Sequence, residues 1–178
     1  MAKILEAMGY PVYYSDERSK ELVDHDPKIK KELTELLGTE VYCEGKLNRP
    51  FLAERIFSND EVRLKVNGII HPRVRATFAL WVSEQKSSLV FNEAAILFET
   101  GAFKSFDSMV LVTAPVSLKI NRVMERDKCS EESVRERMEK QWSDDRKIPL
   151  SDHVLVNDDR MPLLAQIEEL INKLEAIN

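Results

Sequence analysis

Asp16 stands just after a short apolar run, Tyr10-Pro11-Val12-Tyr13-Tyr14, that reads as a strand. Ligands of open α/β sheets bind outside the carboxyl ends of their strands. A carboxylate there can accept a proton from a substrate hydroxyl or help hold a magnesium ion. Equally, Ser15 or Asp16 can cap the helix that follows. Asn92 to Glu99 follows a second apolar run and sets Glu93 and Glu99 around Ala94-Ala95-Ile96-Leu97-Phe98. These acids either face the same crevice or flank core residues. Arg122, Arg126, Arg135, Arg137, Lys140, Arg146 and Lys147 crowd one segment. Guanidinium groups neutralise the charge that spreads over a transferring phosphoryl. Glu125, Glu132, Glu136 and Glu139 are interleaved, so the segment also reads as a solvated helix laced with ion pairs. His71-Pro72 reads as a helix start with proline at its first position. Lys46, Arg49 and Arg73 add local positive charge.

The elements that must position these groups alternate in type. Residues 2–8 read as a short helix stopped by Gly9, 10–14 as a strand, and 17 to about 23 as a helix. Asp26-Pro27 opens another helix that Gly38 closes. A hairpin-like stretch centres on Glu44-Gly45-Lys46. Helical patterns follow at 50–57 and 60–68, and a longer one starts after Pro72. Leu89-Val90-Phe91 and Met109 to Val112 read as buried parallel strands, each followed by helix or loop rather than a two-residue turn. A helix runs from Ala114-Pro115 to about Arg126, and His153 to Val156 is a last strand. Leu163, Leu164, Ile167, Leu170, Ile171, Leu174 and Ile177 line one face of a terminal helix. Strands alternating with helices predict an α/β fold: a parallel sheet covered on both faces, in three layers.

With 178 residues the chain suffices for one domain and a small insertion. A net charge of −5 excludes broad electrostatic capture of nucleic acid, so an anionic ligand needs a local basic cluster. Cys43 and Cys129 have no metal-ligand spacing, which argues against a zinc site and a disulfide framework. No stretch approaches the roughly 20 apolar residues of a membrane span, and the N-terminus lacks signal-peptide character. A cytoplasmic protein without membrane or nucleic-acid partners is expected, as a monomer or small homo-oligomer.

The order of these signals resembles the dephospho-coenzyme A kinase family nearly end to end. The family's x-D-x-D strand corresponds to Val12 to Asp16, and its Gly-x-Leu-x-Arg turn to Gly45-Lys46-Leu47-Asn48-Arg49. Its Asn-x-Ile-x-His-Pro signature appears as Asn67 to Pro72, and its P-L-L-F-E signature as Ala95-Ile96-Leu97-Phe98-Glu99. Arg122 and Arg126-Asp127 match its paired arginines, Arg137 and Gln141 its lid helix, and Asp152 with Val156-Asn157 its final strand. The resemblance implies a P-loop-kinase-like fold with a helical acceptor-binding insert and a small lid. The nucleotide-binding core would comprise 1–16, 89–126 and 148–178, the insert 17–88 and the lid 127–147. It implies ATP-dependent phosphorylation of the ribose 3′-hydroxyl of dephospho-coenzyme A, with ATP and magnesium required. Asp16 would be the base, and Arg126 and Arg137 would supply lid charge. Arg49, Asn67, His71, Leu97, Phe98 and Glu99 would serve the acceptor, and Asn157 would lie near the adenine.

This sequence departs from the pattern in three places. Tyr14 replaces the first aspartate of x-D-x-D, Ala95 replaces a proline, and no G-x-x-x-x-G-K-[ST] loop occurs in the chain. That loop's backbone amides and lysine cradle phosphates in such kinases. The expectation is therefore a kinase whose chain begins after the loop and turns over little by itself. The alternative is a non-catalytic nucleotide- or coenzyme A-binding module; another small-metabolite kinase of similar plan is a third reading, disfavoured by the His-Pro element.

Overall fold

A computed structural model of the chain describes residues 1–176; Ile177, expected on the terminal helix, lies outside them. The helices are α1 (Ala2–Ala7), α2 (Ser15–His25), α3 (Pro27–Leu37), α4 (Arg49–Ser58), α5 (Asp60–Ser83), α6 (Val116–Asp127), α7 (Glu131–Glu139), α8 (Asp144–Lys147) and α9 (Leu163–Glu175). The strands are β1 (Val12–Tyr14), β2 (Tyr42–Cys43), β3 (Lys46–Leu47), β4 (Phe91–Glu93), β5 (Val110–Thr113) and β6 (His153–Val156). They assemble into two compact units, Val12–Glu93 and Met1–Pro11 with Ala94–Asn178.

In Val12–Glu93, β1 and β4 pair in parallel, with Tyr13 opposite Asn92 and Tyr14 opposite Glu93. The core is helical: Val23, Ile29, Leu33, Val41, Leu52 and Val66 form one buried cluster from α2 through α5. Tyr13 packs its ring 5.0 Å from Phe78 and 5.2 Å from Trp81, which seats β1 against the last third of α5. The hairpin expected near Glu44-Gly45 is β2–β3. Both turn residues have positive φ, 50° and 79°, as a two-residue hairpin turn requires.

Asp26 begins α3 as the Asp-Pro pair predicts. Its Oδ1 accepts from the Lys28 and Ile29 amides at 2.8 and 3.0 Å. Its Oδ2 accepts from Arg73 Nη2 and Nε at 2.6 and 3.1 Å, tying α3 to α5.

Two local expectations are corrected. The helical patterns at 60–68 and after Pro72 are one helix, α5, with Pro72 inside it. A proline here withdraws the bond its amide would make to the Gly68 carbonyl, and its ring crowds that carbonyl. Packing of α5 on α2, α3 and α4 outweighs that loss. Neither Ser15 nor Asp16 caps α2, because Tyr14 holds that position and makes no side-chain cap.

In the other unit β5 and β6 pair in parallel from Val110–His153 to Thr113–Val156. Helix α9 buries Ile167, Leu170, Ile171 and Leu174 of the expected face, whereas Leu164, also expected there, is exposed in the first turn. Gln166 on α9 accepts from the Val156 amide at 2.8 Å and donates to its carbonyl at 2.9 Å, capping the end of β6. Tyr10 donates to Glu175 at 2.9 Å, tying the segment after α1 to the same helix.

Asp26 performs two separable tasks, so two variants separate them. Asp26→Asn keeps the cap and removes the charge pair, whereas Asp26→Ala removes both. In urea unfolding the alanine variant should lose about 1 kcal/mol more than the asparagine variant. Equal losses would show that the cap contributes nothing.

Candidate active site

Asp16 is the second residue of α2, half-buried, immediately beyond the carboxyl end of β1. Ser15 donates to Asn92 Oδ1 at 2.9 Å, so the end of β4 fixes the first turn of α2 and with it the base of Asp16. Asn67 and His71 are one turn apart on α5, which puts both half-buried side chains on one face. Burial, and then the nearby Arg75 charge, push the His71 pKa below its ordinary value. At neutral pH it is an uncharged imidazole. Sequence reasoning passed over Arg75; its signal was its spacing, four residues beyond His71.

Arg49 opens α4 beside its cap Asn48, whose Oδ1 accepts from the Phe51 amide. Its guanidinium reaches Asp24 Oδ2 at 2.8 Å, while Asp24 Oδ1 accepts from the Leu47 amide at 3.1 Å. The Gly-x-Leu-x-Arg turn is thus pinned by Asp24, a residue that sequence reasoning did not single out. Asp16, Arg49, Asn67 and His71 all belong to the Val12–Glu93 unit, and the remaining candidates to the other.

Leu97, Phe98 and Glu99 lie in a turn closed by the Thr100, Gly101 and Phe103 amides. Leu97 is half-buried, and Phe98 is buried with its ring 5.4 Å from that of Phe103. Glu99 Oε1 accepts from the Trp142 amide at 2.7 Å and pairs with Lys147 at 2.9 Å. The side chains of this pair are only 12% and 9% exposed. Burial alone would raise the Glu99 pKa. The Trp142 amide and the Lys147 ammonium overcome it and leave the carboxyl below its ordinary value. Glu99 Oε2 is buried with no hydrogen-bond partner among the described residues. Arg146 stacks 3.5 Å over the Trp142 ring, and Lys119 pairs with Asp144. Residues 142–147 are therefore fastened at several points.

Arg126 and Arg137, the two arginines expected to serve a lid, are brought together. Asp127 accepts from Arg126 Nε at 2.7 Å and Nη2 at 3.3 Å, and from Arg137 Nη1 at 2.8 Å. Those bonds hold its pKa at about 2. Asn157 follows β6 with its amide on the Thr113 carbonyl. Its own carbonyl accepts from Arg122 Nη1 at 2.8 Å, and Arg122 also bonds Asp159. Arg122 thereby fixes the loop that carries Asn157. Among the described residues no His, Cys, Asp and Glu side chains cluster in threes as a metal site, and no helix is long and apolar enough to cross a membrane.

Lys147 cannot lose its counter-ion cheaply. Glu99→Gln should destabilise the protein by about 3 kcal/mol or more, because it strands a buried ammonium. The double replacement Glu99→Leu/Lys147→Met should recover most of that loss. Since the folded-state pKa of Glu99 is depressed, its contribution is complete above the ordinary 4.5 and is lost as pH falls through the folded value. Chemical denaturation of the single and double variants between pH 7 and 3 checks both statements; a single variant as stable as wild type at pH 7 would refute them.

The family model of dephospho-CoA kinase (CoaE) matches residues 1–162. A dephospho-CoA kinase of Bacteroides fragilis strain YCH46 is 43% identical over 172 residues, covering 96% of this chain and 84% of the relative. That of Porphyromonas gingivalis strain W83 is 39% identical over 175 residues, covering 96% and 85%. The crystal structure of TT1252 from Thermus thermophilus superposes with a TM-score of 0.83 at 30% identity, covering 98% of this chain and 88% of that one. A Campylobacter jejuni dephospho-CoA kinase, at 22% identity and a TM-score of 0.63, shares the fold. On its sequence match and its fold, the chain belongs to the dephospho-CoA kinase family.

Proposed function

We propose that the protein transfers the γ-phosphoryl group of ATP to the ribose 3′-hydroxyl of dephospho-coenzyme A. The observation that carries this reading is family membership over residues 1–162 in a chain that keeps a carboxylate, Asp16, at the end of a parallel strand. The hydroxyl is a poor nucleophile. Asp16 orients it and takes its proton as the oxygen bonds to the γ-phosphorus; the bond from that phosphorus to the bridging oxygen breaks, and ADP leaves. Arg126 and Arg137 bring positive charge to the phosphate oxygens and, as the lid closes, exclude water.

Arg49, Asn67 and His71 serve the acceptor. A neutral His71 can donate to or accept from it without adding charge. The same family pattern assigns Leu97, Phe98 and Glu99 to the acceptor. Asn157, on the loop that Arg122 fixes, lies by the adenine. In this reading residues 1–16, 89–126 and 148–178 form the nucleotide-binding core, 17–88 the acceptor insert and 127–147 the lid. Magnesium comes with the nucleotide, as is usual where phosphates supply most of its ligands, and no step is assigned to it. A cytoplasmic monomer or small homo-oligomer fits a kinase of small metabolites.

A coupled assay with ATP, magnesium and dephospho-coenzyme A tests the reading. It compares this chain with one extended upstream through a G-x-x-x-x-G-K-[ST] loop, which the 178 residues lack. Turnover is expected in the extended chain, and Asp16→Asn should lower kcat by about 100-fold or more. No turnover in either chain, with dephospho-coenzyme A still bound, would replace the kinase by a binding module.

A further inference from the structure

Asp127 is in an electrostatically awkward place. It is the last residue of α6, where the helix dipole presents partial negative charge and disfavours a carboxylate. It is compensated from two directions. Arg126, its own neighbour in sequence, folds back to make two bonds with it, although adjacent helical residues do not ordinarily face each other. Arg137 reaches it from the last turn of α7. The chain between the helices is short: Lys128 turns it at φ 52°, and Ser130 caps α7 through the Ser133 amide. Both arginines are largely exposed, at 73% and 54%, and exposed ion pairs contribute little to folding. Stability therefore gives no reason to gather three charged groups here. The cluster carries one net positive charge, with both guanidiniums held on the same carboxylate.

We propose that Asp127 is a positioning residue: it sets Arg126 and Arg137 side by side as a preformed clamp for the phosphate chain of the nucleotide. The inference rests on the lid role given to those arginines above. Ordering a long, flexible side chain is a cost normally met at binding; here the carboxylate meets it beforehand. The opposite role is physically reasonable too, since a carboxylate among arginines can mask their charge and weaken anion binding. The two roles differ in sign. Loss of a positioner weakens nucleotide binding, and loss of a mask strengthens it.

The test is steady-state kinetics on the chain extended through the phosphate loop, as in the assay above, varying ATP at saturating dephospho-coenzyme A. The variants are Asp127→Asn, Arg126→Ala, Arg137→Ala, the double-alanine variant, and that variant with Asp127→Asn added. Asp127→Asn should raise the KM for ATP by about three- to tenfold, with the KM for dephospho-coenzyme A and the melting temperature unchanged. Added to the double-alanine variant, it should change the KM for ATP no further, because Asp127 acts only through the arginines. An unchanged or lower KM in Asp127→Asn would overturn the proposal, as would an effect that persists without the arginines. If the two arginine variants leave the KM for ATP and kcat unaltered, the lid reading is wrong and this inference falls with it, while the kinase reading stands. A wild-type protein that does not phosphorylate dephospho-coenzyme A overturns the function itself.

Discussion

Lys147 is a lysine at 7% exposure, and an ammonium taken that far out of water demands a counter-charge. Glu99 meets that demand at 2.9 Å and with the same oxygen holds the Trp142 amide. Because an unpaired charge in this environment is so costly, the turn at 97–101 and the segment at 142–147 cannot part without paired loss of both bonds. The Arg146–Trp142 stack and the Lys119–Asp144 pair reinforce the same junction. Just N-terminal to it, α7 buries Val134 and joins α6 through Arg137 and Asp127. The segment from 127 to 147 is thus anchored at its C-terminal end by a buried ion pair and at α7 by Val134 and the Asp127 pair.

The same economy of charge organises Val12–Glu93. Asp24 and Asp26, two residues apart, each bind one arginine and at least one backbone amide. Asp26 serves as a helix cap and an inter-helix tie, and Asp24 as the pin of the β2–β3 hairpin. The carboxylates receive donors that would otherwise go unsatisfied at a helix start or a strand. A hydrophobic cluster across α2 to α5 supplies the bulk of the packing. The acidic residues decide the directions in which the connecting segments leave it.

Much of this was legible from the chain because it depends on neighbours in sequence. The Asp26-Pro27 start and Gly38 stop of α3, the Glu44-Gly45 turn and the apolar stripe of α9 are local rules of backbone and amphipathicity. The errors have a common source. Pro72 reads as a helix start, yet α5 runs through it, because packing on three neighbouring helices outweighs the lost bond and the crowding its ring brings. Ser15 reads as a cap, yet its hydroxyl serves Asn92, a residue 77 positions away.

For the candidate site, the sequence by itself determined the kinds of group available and their order: a carboxylate after a strand, an Asn and a His one helical turn apart, and arginines crowded near 122–147. Spacing is enough for these, since helical periodicity puts positions 67 and 71 on one face whatever surrounds them. Only the tertiary structure decided which charges were already engaged. Glu99 looked like a free acid and is half-consumed by Lys147, Arg49 is held by Asp24, and Asp127, read only as part of the Arg126-Asp127 motif, joins two arginines from different helices. Coulombic pairing depends on distance through space and on exclusion of water, and neither quantity is written in the order of residues along a chain.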